Sequence, residues 1–337
     1  MRVLWLIDSL TVGGAESLTA AIAGEARRRG WELTVAFLKR LGDNAYEEAV
    51  RTAGVPVVHL AAKNLRDVAA YRRLGRLLRS GGFDVVHAHL AYASIWAALA
   101  APAAGVPLVA TLHVAPEPVP LLSREGLRRR LLVALLARRA ARVVAVSRAL
   151  AETWAEAGLP AARLTVVHNG VDLSRFEGAA ADRDELRRRL GIAAGAPLVA
   201  TVTVLRPGKG LPDLLAALAR LRAEWPEAVL VVAGEGPLGP TLRQRAVELG
   251  VDGSVRWAGF CRDVPRLLAA ADLFVLASRW DAFPTAVIEA LAAGVPVVAT
   301  RTGGIPEIVD DGGDGVLVPP GDVPALARAL SGLLAAS

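Results

Sequence analysis

The residues with the clearest chemical potential are two carboxylates in the stretch ASRWDAFPTAVIEALAAG, residues 277–294. Asp281 lies in a loop after a predicted strand, and Glu289 lies about one turn inside the next predicted helix. Pro284 and Thr285 are typical of the start of that helix. Carboxylates accept hydrogen bonds from the paired hydroxyls of sugars and ribose, while helix amides suit phosphates. The spacing therefore predicts recognition of one ligand by both carboxylates and favours this over a hydrolytic acid/base pair.

Two cations form a second candidate site. Arg206 and Lys209 follow a predicted strand in TVTVLRPGKG, and a helix is expected to begin near Leu211. A helix N-terminus flanked by cations is a strong anion site, because the helix dipole, the free amides and the side chains all attract negative charge. Two solvated loop cations are the alternative, but the placement favours a phosphate site.

Glycines and histidines at strand ends form a third candidate site, in the first half of the chain. Gly13 and Gly14 stand where a strand turns into a helix, so their bare amides could approach a phosphate or a sugar. A tight turn is the alternative, and the absence of G-x-G-x-x-G spacing argues against NAD. His113 is expected to hydrogen-bond a substrate, whereas His87 and His89 are expected to be structural.

Metal and disulfide chemistry are not expected. No cluster of cysteine and histidine has metal-ligand spacing, and the run DDGGD at 310–314 favours a turn over a metal loop. Cys261 is the sole cysteine, so no intramolecular disulfide can form. This fits a reducing cytoplasm.

Composition predicts a folded protein of two domains from 337 residues. A hydrophobic share of 53% and a charged share of 21% exclude disordered and collagen-like chains. The net charge of +6 is weak support for a nucleic-acid partner, and none is expected. The apolar run at 3–7 is too short for a secretory signal. Pro102, Gly105 and Pro107 interrupt the long uncharged stretch 95–112, so no transmembrane segment is expected.

Short β-branched runs alternate with helical patterns, which predicts parallel sheets in an α/β fold. The runs are continuously apolar, as in sheets covered on both faces. Predicted helices include 15–29, 66–80 and 125–141. Predicted strands are 3–7, 33–38, 56–60, 84–88, 107–112, 142–146, 164–168, 197–204, 228–234, 254–259, 273–278, 296–300 and 315–319.

The pattern breaks at residues 169–191, where a turn-forming Asn-Gly pair precedes a small polar stretch and a charged helix. We therefore predict two doubly wound domains, residues 1–171 and 172–337. Ligands bind beyond the carboxyl ends of the strands in such sheets, so the cleft between the two domains is the expected site.

The sequence resembles retaining glycosyltransferases of family 4, the group 1 glycosyltransferases. The resemblance consists of a series of motifs in the family's order, and it covers nearly the whole chain. The motifs are GGAE, DVVHAH, TLH, AVS, HNGVD, LRPGKG, AGEGP, a D-x7-E version of the E-x7-E motif, AAGVPVVAT and GGIPEIV. The resemblance implies the GT-B fold, two Rossmann-like doubly wound parallel-sheet domains that face a central cleft. The N-terminal domain would bind the acceptor and the C-terminal domain the nucleotide-sugar donor.

The resemblance also implies roles for the candidate residues. Gly13 and Gly14 would lie near the diphosphate and the acceptor, and His113 beside the transferred sugar. Arg206 and Lys209 would neutralise the leaving diphosphate.

The remaining implied roles concern the donor. Asp281 would hold the sugar together with the amides of Ala282 and Phe283, and Glu289 would bind the ribose. Pro284 and Thr285 would complete the donor site at the helix start. The segment that lies along the base would be Gly259, Phe260 and Cys261.

Three features depart from the family pattern. Val204 stands where many members carry an arginine, and we expect Arg206 to replace it. Asp281 and Ala282 stand in place of the usual glutamate and glycine, which bears on the identity of the sugar. The chain also stops soon after ALARALSGLLAAS, whereas relatives usually continue into helices that cross back over the N-terminal domain.

The function implied by the resemblance is transfer of a sugar from a UDP- or GDP-sugar to an acceptor hydroxyl with retention of anomeric configuration. Neither a cofactor nor a metal is expected, and the acceptor would be a glycan, a lipid-linked molecule or a small molecule. A nucleotide-sugar epimerase or hydrolase of the same fold, or a non-catalytic two-domain sugar-binding protein, is the alternative.

The expected location is the cytoplasm, with weak peripheral association at the inner face of the membrane as a further hypothesis. The helix predicted in SREGLRRRLLVALLARRAAR, residues 123–142, has arginines at both ends and an apolar middle, as in interfacial segments. An ordinary packed helix with a solvated arginine face is the alternative.

Overall fold

The computed structural model describes residues 1–11, 13–41, 44–116, 120 and 123–336. They form two compact units, Met1–Asn169 and Gly170–Ser337. The boundary between the units lies two residues before the one drawn from the sequence. Each unit is a parallel sheet with helices packed on it, so the predicted α/β class is confirmed.

The first unit alternates strands and helices along the chain. Its strands are β1 (Arg2–Ile7), β2 (Glu32–Phe37), β3 (Val57–His59), β4 (Val85–His89), β5 (Leu108–Leu112), β6 (Ala140–Ala145) and β7 (Leu164–Val166). Its helices are α1 (Gly14–Arg28), α2 (Ala45–Thr52), α3 (Val68–Ser80), α4 (Ala91–Ala100), α5 (Arg124–Arg139) and α6 (Arg148–Glu156).

The second unit repeats this alternation. Its strands are β8 (Leu198–Val202), β9 (Val229–Ala233), β10 (Val255–Gly259), β11 (Leu273–Leu276), β12 (Val297–Thr300) and β13 (Gly315–Val318). Its helices are α7 (Arg183–Arg189), α8 (Leu211–Leu221), α9 (Gly239–Glu248), α10 (Val264–Ala270), α11 (Thr285–Ala292) and α12 (Val323–Ala336).

Strand order places one topological switch point in each sheet. The first sheet runs β3-β2-β1-β4-β5-β6-β7 and the second runs β10-β9-β8-β11-β12-β13, with neighbouring strands parallel. The connections diverge in opposite directions from β1 and β4 in the first sheet, and from β8 and β11 in the second. Ligands of open α/β sheets bind at such points, beyond the carboxyl ends of the strands.

Both faces of the second sheet are buried, as its continuous apolar strands require. Along β9, Leu230 and Val232 belong to one hydrophobic cluster, while Val229 and Val231 belong to the other. Successive side chains of a strand point to opposite faces, so the two clusters lie on opposite sides of the sheet. Burial on both faces explains why these strands carry no polar alternation.

Two predicted helices are shorter in the structure, for local reasons. The helix predicted over 66–80 begins at Val68, because the Asp67 carboxylate accepts a hydrogen bond from the Ala70 amide and caps the N-terminus. The helix predicted over 125–141 ends two residues early, because Ala140 already pairs with β5.

The strand predicted over 197–204 ends at Val202. Beyond it, the chain lies so close to the loop after β9 that a Cβ atom on Gly234 would overlap the Thr203 carbonyl oxygen. The Leu205 amide donates to the Glu235 carbonyl at 2.9 Å, so the two loops run side by side.

Gly210 connects the loop after β8 to helix α8 in a position that excludes a side chain. It has a φ of 64°, in the left-handed region, and a Cβ atom there would overlap the Ala277 carbonyl oxygen beyond β11. Any other residue would pay a conformational penalty and would also push the two loops apart.

Replacing Gly210 with alanine is expected to destabilise the second unit. The left-handed backbone alone costs about 1 kcal/mol for alanine, and displacement of the Ala277 backbone adds to this. Gly250→Ala is the matched control, because Gly250 has a φ of 67° and nothing lies within 4 Å of the position that its new methyl group would occupy. Thermal unfolding should show a clearly larger loss for Gly210→Ala. Equal losses would contradict the importance of the close approach.

Among the residues described, none of the helices combines the length and the apolar character needed to span a bilayer.

Candidate functional site

An ion pair joins the two strands at the switch point of the second sheet. Lys209 follows β8 and Asp281 follows β11, and the Lys209 Nζ atom donates to Asp281 Oδ2 at 2.6 Å. Each side chain is only 14% exposed. The Ser278 hydroxyl donates to the same carboxylate oxygen at 3.2 Å. The structure therefore brings together two residues that the sequence assigned to different parts of one ligand.

The backbone around Asp281 is held by short contacts. The Gly304 amide donates to the Asp281 carbonyl oxygen at 3.0 Å, and a Cβ atom on Gly303 would overlap that oxygen. The Thr300 hydroxyl donates to the Ser278 carbonyl at 2.5 Å, which ties the end of β12 to the same loop. The carboxylate is thus placed by neighbours on both sides of its strand.

Arg206 differs from Lys209 in its surroundings. Its side chain is exposed and forms no ion pair with any residue in the described part of the chain. Its backbone lies in the turn that leads to Lys209, with the Lys209 amide donating to the Arg206 carbonyl at 3.4 Å. A guanidinium in this position is free to meet an anion arriving at the start of α8.

The residues before α11 form the other side of this edge. Ala282 and Phe283 are buried, Pro284 is the residue that caps the helix, and Thr285 is its first residue, as predicted. Amides in the first turn of a helix lack carbonyl partners four residues earlier, which makes a helix start of this kind suited to an anion.

Glu289 lies half-buried inside α11. Burial raises its pKa to about 7, against a smaller lowering by the positive charge of Arg175. The same carboxyl group acts on Cys261, whose thiol pKa is raised mainly by burial and further by the charges of Asp263 and Glu289. Glu289 and Cys261, which the sequence placed along the nucleoside, therefore interact electrostatically.

The segment after β10 turns sharply at Gly259, which has a φ of 64°. The Phe260 amide donates to Glu235 Oε1 at 3.3 Å, and Arg262 lies over the Phe260 ring. Glu235 was not predicted as a site residue. Its only signal in the sequence is its place in the motif AGEGP, after the neighbouring strand β9.

The switch point of the first sheet also holds a half-buried carboxylate that was not predicted from the sequence. Asp8 follows β1 and accepts hydrogen bonds from the amides of Ala93, at 2.6 Å, and Tyr92, at 3.4 Å, at the start of α4. Burial raises its pKa to about 6, although these hydrogen bonds and the charges of Lys39 and Arg128 act in the opposite direction.

The glycine pair lies at the start of α1. Gly13 precedes the helix and Gly14 is its first residue. A Cβ atom on Gly13 would overlap the carboxylate of Glu16, a residue that is 8% exposed. The absence of a side chain at Gly13 therefore makes room for the Glu16 carboxylate.

Three histidines cluster at the carboxyl edge of the first sheet. His89 Nδ1 lies 2.9 Å from His113 Nε2, and His87 Nε2 lies 2.7 Å from the Thr111 hydroxyl. The Trp5 ring stacks on His89 with 3.7 Å between centroids. Burial lowers the pKa of His87 to about 4 and that of His113 to about 3, so both are neutral at pH 7.

His113 opens onto a cavity of about 180 Å³ that also touches Glu125, Arg128 and Trp154. A larger cavity, of about 620 Å³, lies at the amino ends of strands in the same unit, next to Arg2 and Val55. It touches none of the predicted site residues. Of the two cavities, the smaller one therefore belongs to the candidate site.

No group of three or more histidine, cysteine, aspartate and glutamate side chains in the described ranges is placed to hold a metal ion.

Comparison with known proteins decides the family. The model of Glycosyltransferase Family 4 matches residues 12–175, and that of Glycosyl transferases group 1 matches residues 182–337. The GDP-mannose-dependent alpha-(1-6)-phosphatidylinositol monomannoside mannosyltransferase of Mycolicibacterium smegmatis is 33% identical, over 96% of this chain and 86% of the relative. The chain belongs to the group 1 glycosyltransferases. The family predicted from the motifs is confirmed.

Further relatives of this group 1 glycosyltransferase include the D-inositol 3-phosphate glycosyltransferase of Salinispora arenicola. That protein is 36% identical over 76% of this chain and 62% of its own length. The solved structure of Anabaena Alr3699/HepE with UDP-glucose matches with a TM-score of 0.88 and 29% identity, over 99% of this chain and 90% of that one. The predicted pair of Rossmann-like GT-B domains is confirmed.

Stability of this group 1 glycosyltransferase is expected to respond to Glu289 in a pH-dependent way. Between the ordinary glutamate pKa and about 7, the folded state keeps a proton that the unfolded state has lost, so the free energy of unfolding falls as pH rises. Glu289→Gln removes this loss. The free energy of unfolding of the variant, relative to that of wild type, should therefore rise by about 1–3 kcal/mol from pH 4 to pH 8.

Urea unfolding at a series of pH values measures this gain. Glu227→Gln on the exposed surface measures the general effect of replacing glutamate with glutamine, which is subtracted. A difference that is constant from pH 4 to pH 8 would show that Glu289 titrates as an ordinary carboxyl group.

Proposed function

We propose that the protein transfers a sugar from a UDP- or GDP-linked donor to an acceptor hydroxyl and retains the anomeric configuration. The observation that carries the proposal is the Lys209–Asp281 pair at the switch point of the second sheet. A cation for phosphate and a carboxylate for sugar hydroxyls are placed side by side there. The names of relatives support the donor class, since one uses GDP-mannose and another structure binds UDP-glucose.

In this proposal, donor binding exchanges the ion pair for contacts with the ligand. Lys209 turns to the diphosphate, and Asp281 accepts from the sugar hydroxyls. The amides of Ala282 and Phe283 donate to oxygens of the same sugar. Lys209 exchanges one anionic partner for another, and the Asp281 carboxylate stays hydrogen-bonded by the sugar hydroxyls. Neither largely buried group is then left without a partner. Arg206 adds its guanidinium, which can bridge two phosphate oxygens.

The nucleoside would lie along the other side of the same edge. Glu289 accepts from the ribose hydroxyls, and Gly259, Phe260 and Cys261 line the base. The start of α11, at Pro284 and Thr285, supplies amides to the phosphates. Support for these roles comes from the family motifs and from the electrostatic interaction of Glu289 with Cys261.

The chemistry requires positive potential where the diphosphate departs, while the sugar gains oxocarbenium character. Arg206, Lys209 and the helix start would provide that potential without a metal ion or a cofactor. Metal independence is therefore part of the proposal, as is retention of configuration.

The first unit would bind the acceptor. Gly13 and Gly14 lie at the start of α1, and His113 opens onto the cavity beside Arg128. The acceptor would be a glycan, a lipid-linked molecule or a small molecule. Relatives named for lipid-linked acceptors support this range, including a galactosyltransferase of Escherichia coli acting on a diphosphoundecaprenol-linked sugar.

Product analysis tests the function. Radiolabelled UDP-glucose and GDP-mannose are incubated with a panel of acceptors, and the anomeric configuration of each product is determined by NMR. We expect a glycosylated acceptor with the configuration of the donor. Free sugar would indicate a hydrolase, and an epimerised donor would indicate an epimerase. A donor that binds but stays unchanged would indicate a non-catalytic sugar-binding protein. Activity lost with EDTA and restored by Mg²⁺ or Mn²⁺ would contradict metal independence.

Arg206→Ala and Lys209→Ala should each lower kcat by about 10²–10³, the usual effect of losing one preorganised group that stabilises developing charge. Effects on donor affinity should be smaller, because the charge grows in the transition state. The double variant should lose less than the product of the single effects, since both residues serve one charge.

Steady-state kinetics measure these losses, and Arg220→Ala, an exposed arginine on α8, is the control. Arg206→Ala with wild-type kcat, alongside an inactive Lys209→Ala, would show that Arg206 does not replace the arginine absent at Val204.

Weak membrane association through α5 is a further part of the proposal. Its outer face exposes Leu127 and Leu131, with Arg130 and Arg138 also exposed nearby. Exposed leucines flanked by arginines suit the surface of an anionic bilayer. The protein should therefore sediment more with anionic than with neutral liposomes at low salt.

Replacing both Leu127 and Leu131 with serine should reduce this sedimentation, whereas Val247→Ser, at an exposed valine of the second unit, should not. Equal sedimentation with both kinds of liposome would contradict docking.

A further inference from the structure

The histidine cluster of the first unit lies on one face of its sheet. In the strand register, Trp5 pairs with His87, and His89 pairs with Thr111. Residues paired across parallel strands, and residues two apart along a strand, share a face. His113 follows the end of β5 and reaches the same histidines, since its Nε2 atom lies 2.9 Å from His89 Nδ1.

The aromatic rings on this face are held in place by buried neighbours. The Trp5 ring stacks on His89 at 3.7 Å and 18°, and the Trp5 Nε1 atom donates to the Thr19 hydroxyl at 3.1 Å. Thr19 belongs to α1 and donates in turn to the Ala15 carbonyl. His89 is 3% exposed, so its ring is held between buried neighbours.

The two nitrogens of His89 have different surroundings. Nδ1 lies 2.9 Å from His113 Nε2, while Nε2 is buried and has no hydrogen-bond partner among the residues described. A neutral imidazole has one donor and one acceptor nitrogen, so the hydrogen bond between the two rings can run in either direction.

The unpartnered nitrogen decides the direction. If His113 donated from Nε2, the His89 proton would sit on His89 Nε2, and a buried N–H group would lack an acceptor. If His89 donates from Nδ1, only a lone pair lacks a partner. Buried N–H donors without partners are rarer than acceptors with unused lone pairs. His89 therefore donates, and His113 accepts at Nε2.

We propose that His89 is a positioning residue that holds His113 with its proton on Nδ1, so that His113 donates a hydrogen bond to an oxygen of the bound sugar or acceptor. The contact with substrate rests on the proposed function; the protonation state of His113 does not. His113 Nε2 is occupied by His89, so its lone pair cannot take the proton of the acceptor hydroxyl. His113 is thereby a neutral donor and not a general base.

Nitrogen-15 NMR of the free protein tests the protonation state. The sequence has five histidines, so the ring signals can be assigned by replacing them one at a time. In wild type we expect His113 to carry its proton on Nδ1 and an unprotonated Nε2 that accepts a hydrogen bond. A proton on His113 Nε2 would overturn the proposal, whether or not the protein transfers a sugar.

Two variants of His89 separate positioning from packing. His89→Phe keeps an aromatic ring against Trp5 but removes the donor. His113 should then populate both neutral tautomers, with the proton on either ring nitrogen. The kcat should fall about three- to tenfold, the effect of one hydrogen bond. In His89→Asn, the side-chain amide can occupy the place of Nδ1–H. It should preserve the His113 signals and a kcat close to that of wild type.

Each outcome decides the proposal. Unchanged His113 signals in His89→Phe, or altered signals in His89→Asn with a folded spectrum, would overturn the positioning role. If His89→Phe fails to fold, the wild-type and His89→Asn spectra still decide it. Expected spectra together with no transferase activity in any variant would sustain the role of His89 and contradict the proposed function instead.

Discussion

The ion pair between Lys209 and Asp281 is the interaction on which the second unit's functional edge depends. Two charges that are each 14% exposed are tolerable only because they are paired, and Ser278 adds a further hydrogen bond to the carboxylate. The pair can form only if the loops after β8 and β11 nearly touch. Gly210 permits this, since a Cβ atom there would overlap the Ala277 carbonyl oxygen. Gly303, after β12, in the same way lets its own loop approach the Asp281 carbonyl. The ion pair therefore depends on the close approach of the loops.

The first unit also holds polar groups at its switch point, but through different interactions. At its switch point a single carboxylate, Asp8, is paired with the amides at the start of α4 rather than with a cation. Beside it, neutral histidines are linked by hydrogen bonds and covered by Trp5. In both units the polar groups at the carboxyl edge are held by the fold before any ligand arrives. Such preorganisation is what electrostatic catalysis requires.

Much of this could be predicted from the sequence, because the information was local. Apolar runs predicted the strands, Pro284 and Thr285 predicted the start of α11, and the ordered motifs identified the family. The contacts between distant residues could not be predicted. Nothing local indicates that Lys209 pairs with Asp281 across 72 positions, that Asp8 caps α4, or that Glu235 meets the Phe260 amide. His89 looked structural because its hydrogen bond to His113 depends on strand register.

A double-mutant cycle on Lys209 and Asp281 tests the central claim most directly. The free energy of unfolding is measured by urea for wild type, Lys209→Met, Asp281→Asn and the double variant, without ligand. Because each single change leaves a largely buried partner unsatisfied, each should cost about 2 kcal/mol. The double variant should cost less than the sum by at least about 1 kcal/mol. Additive losses would show that the two residues do not depend on each other, and would contradict the account.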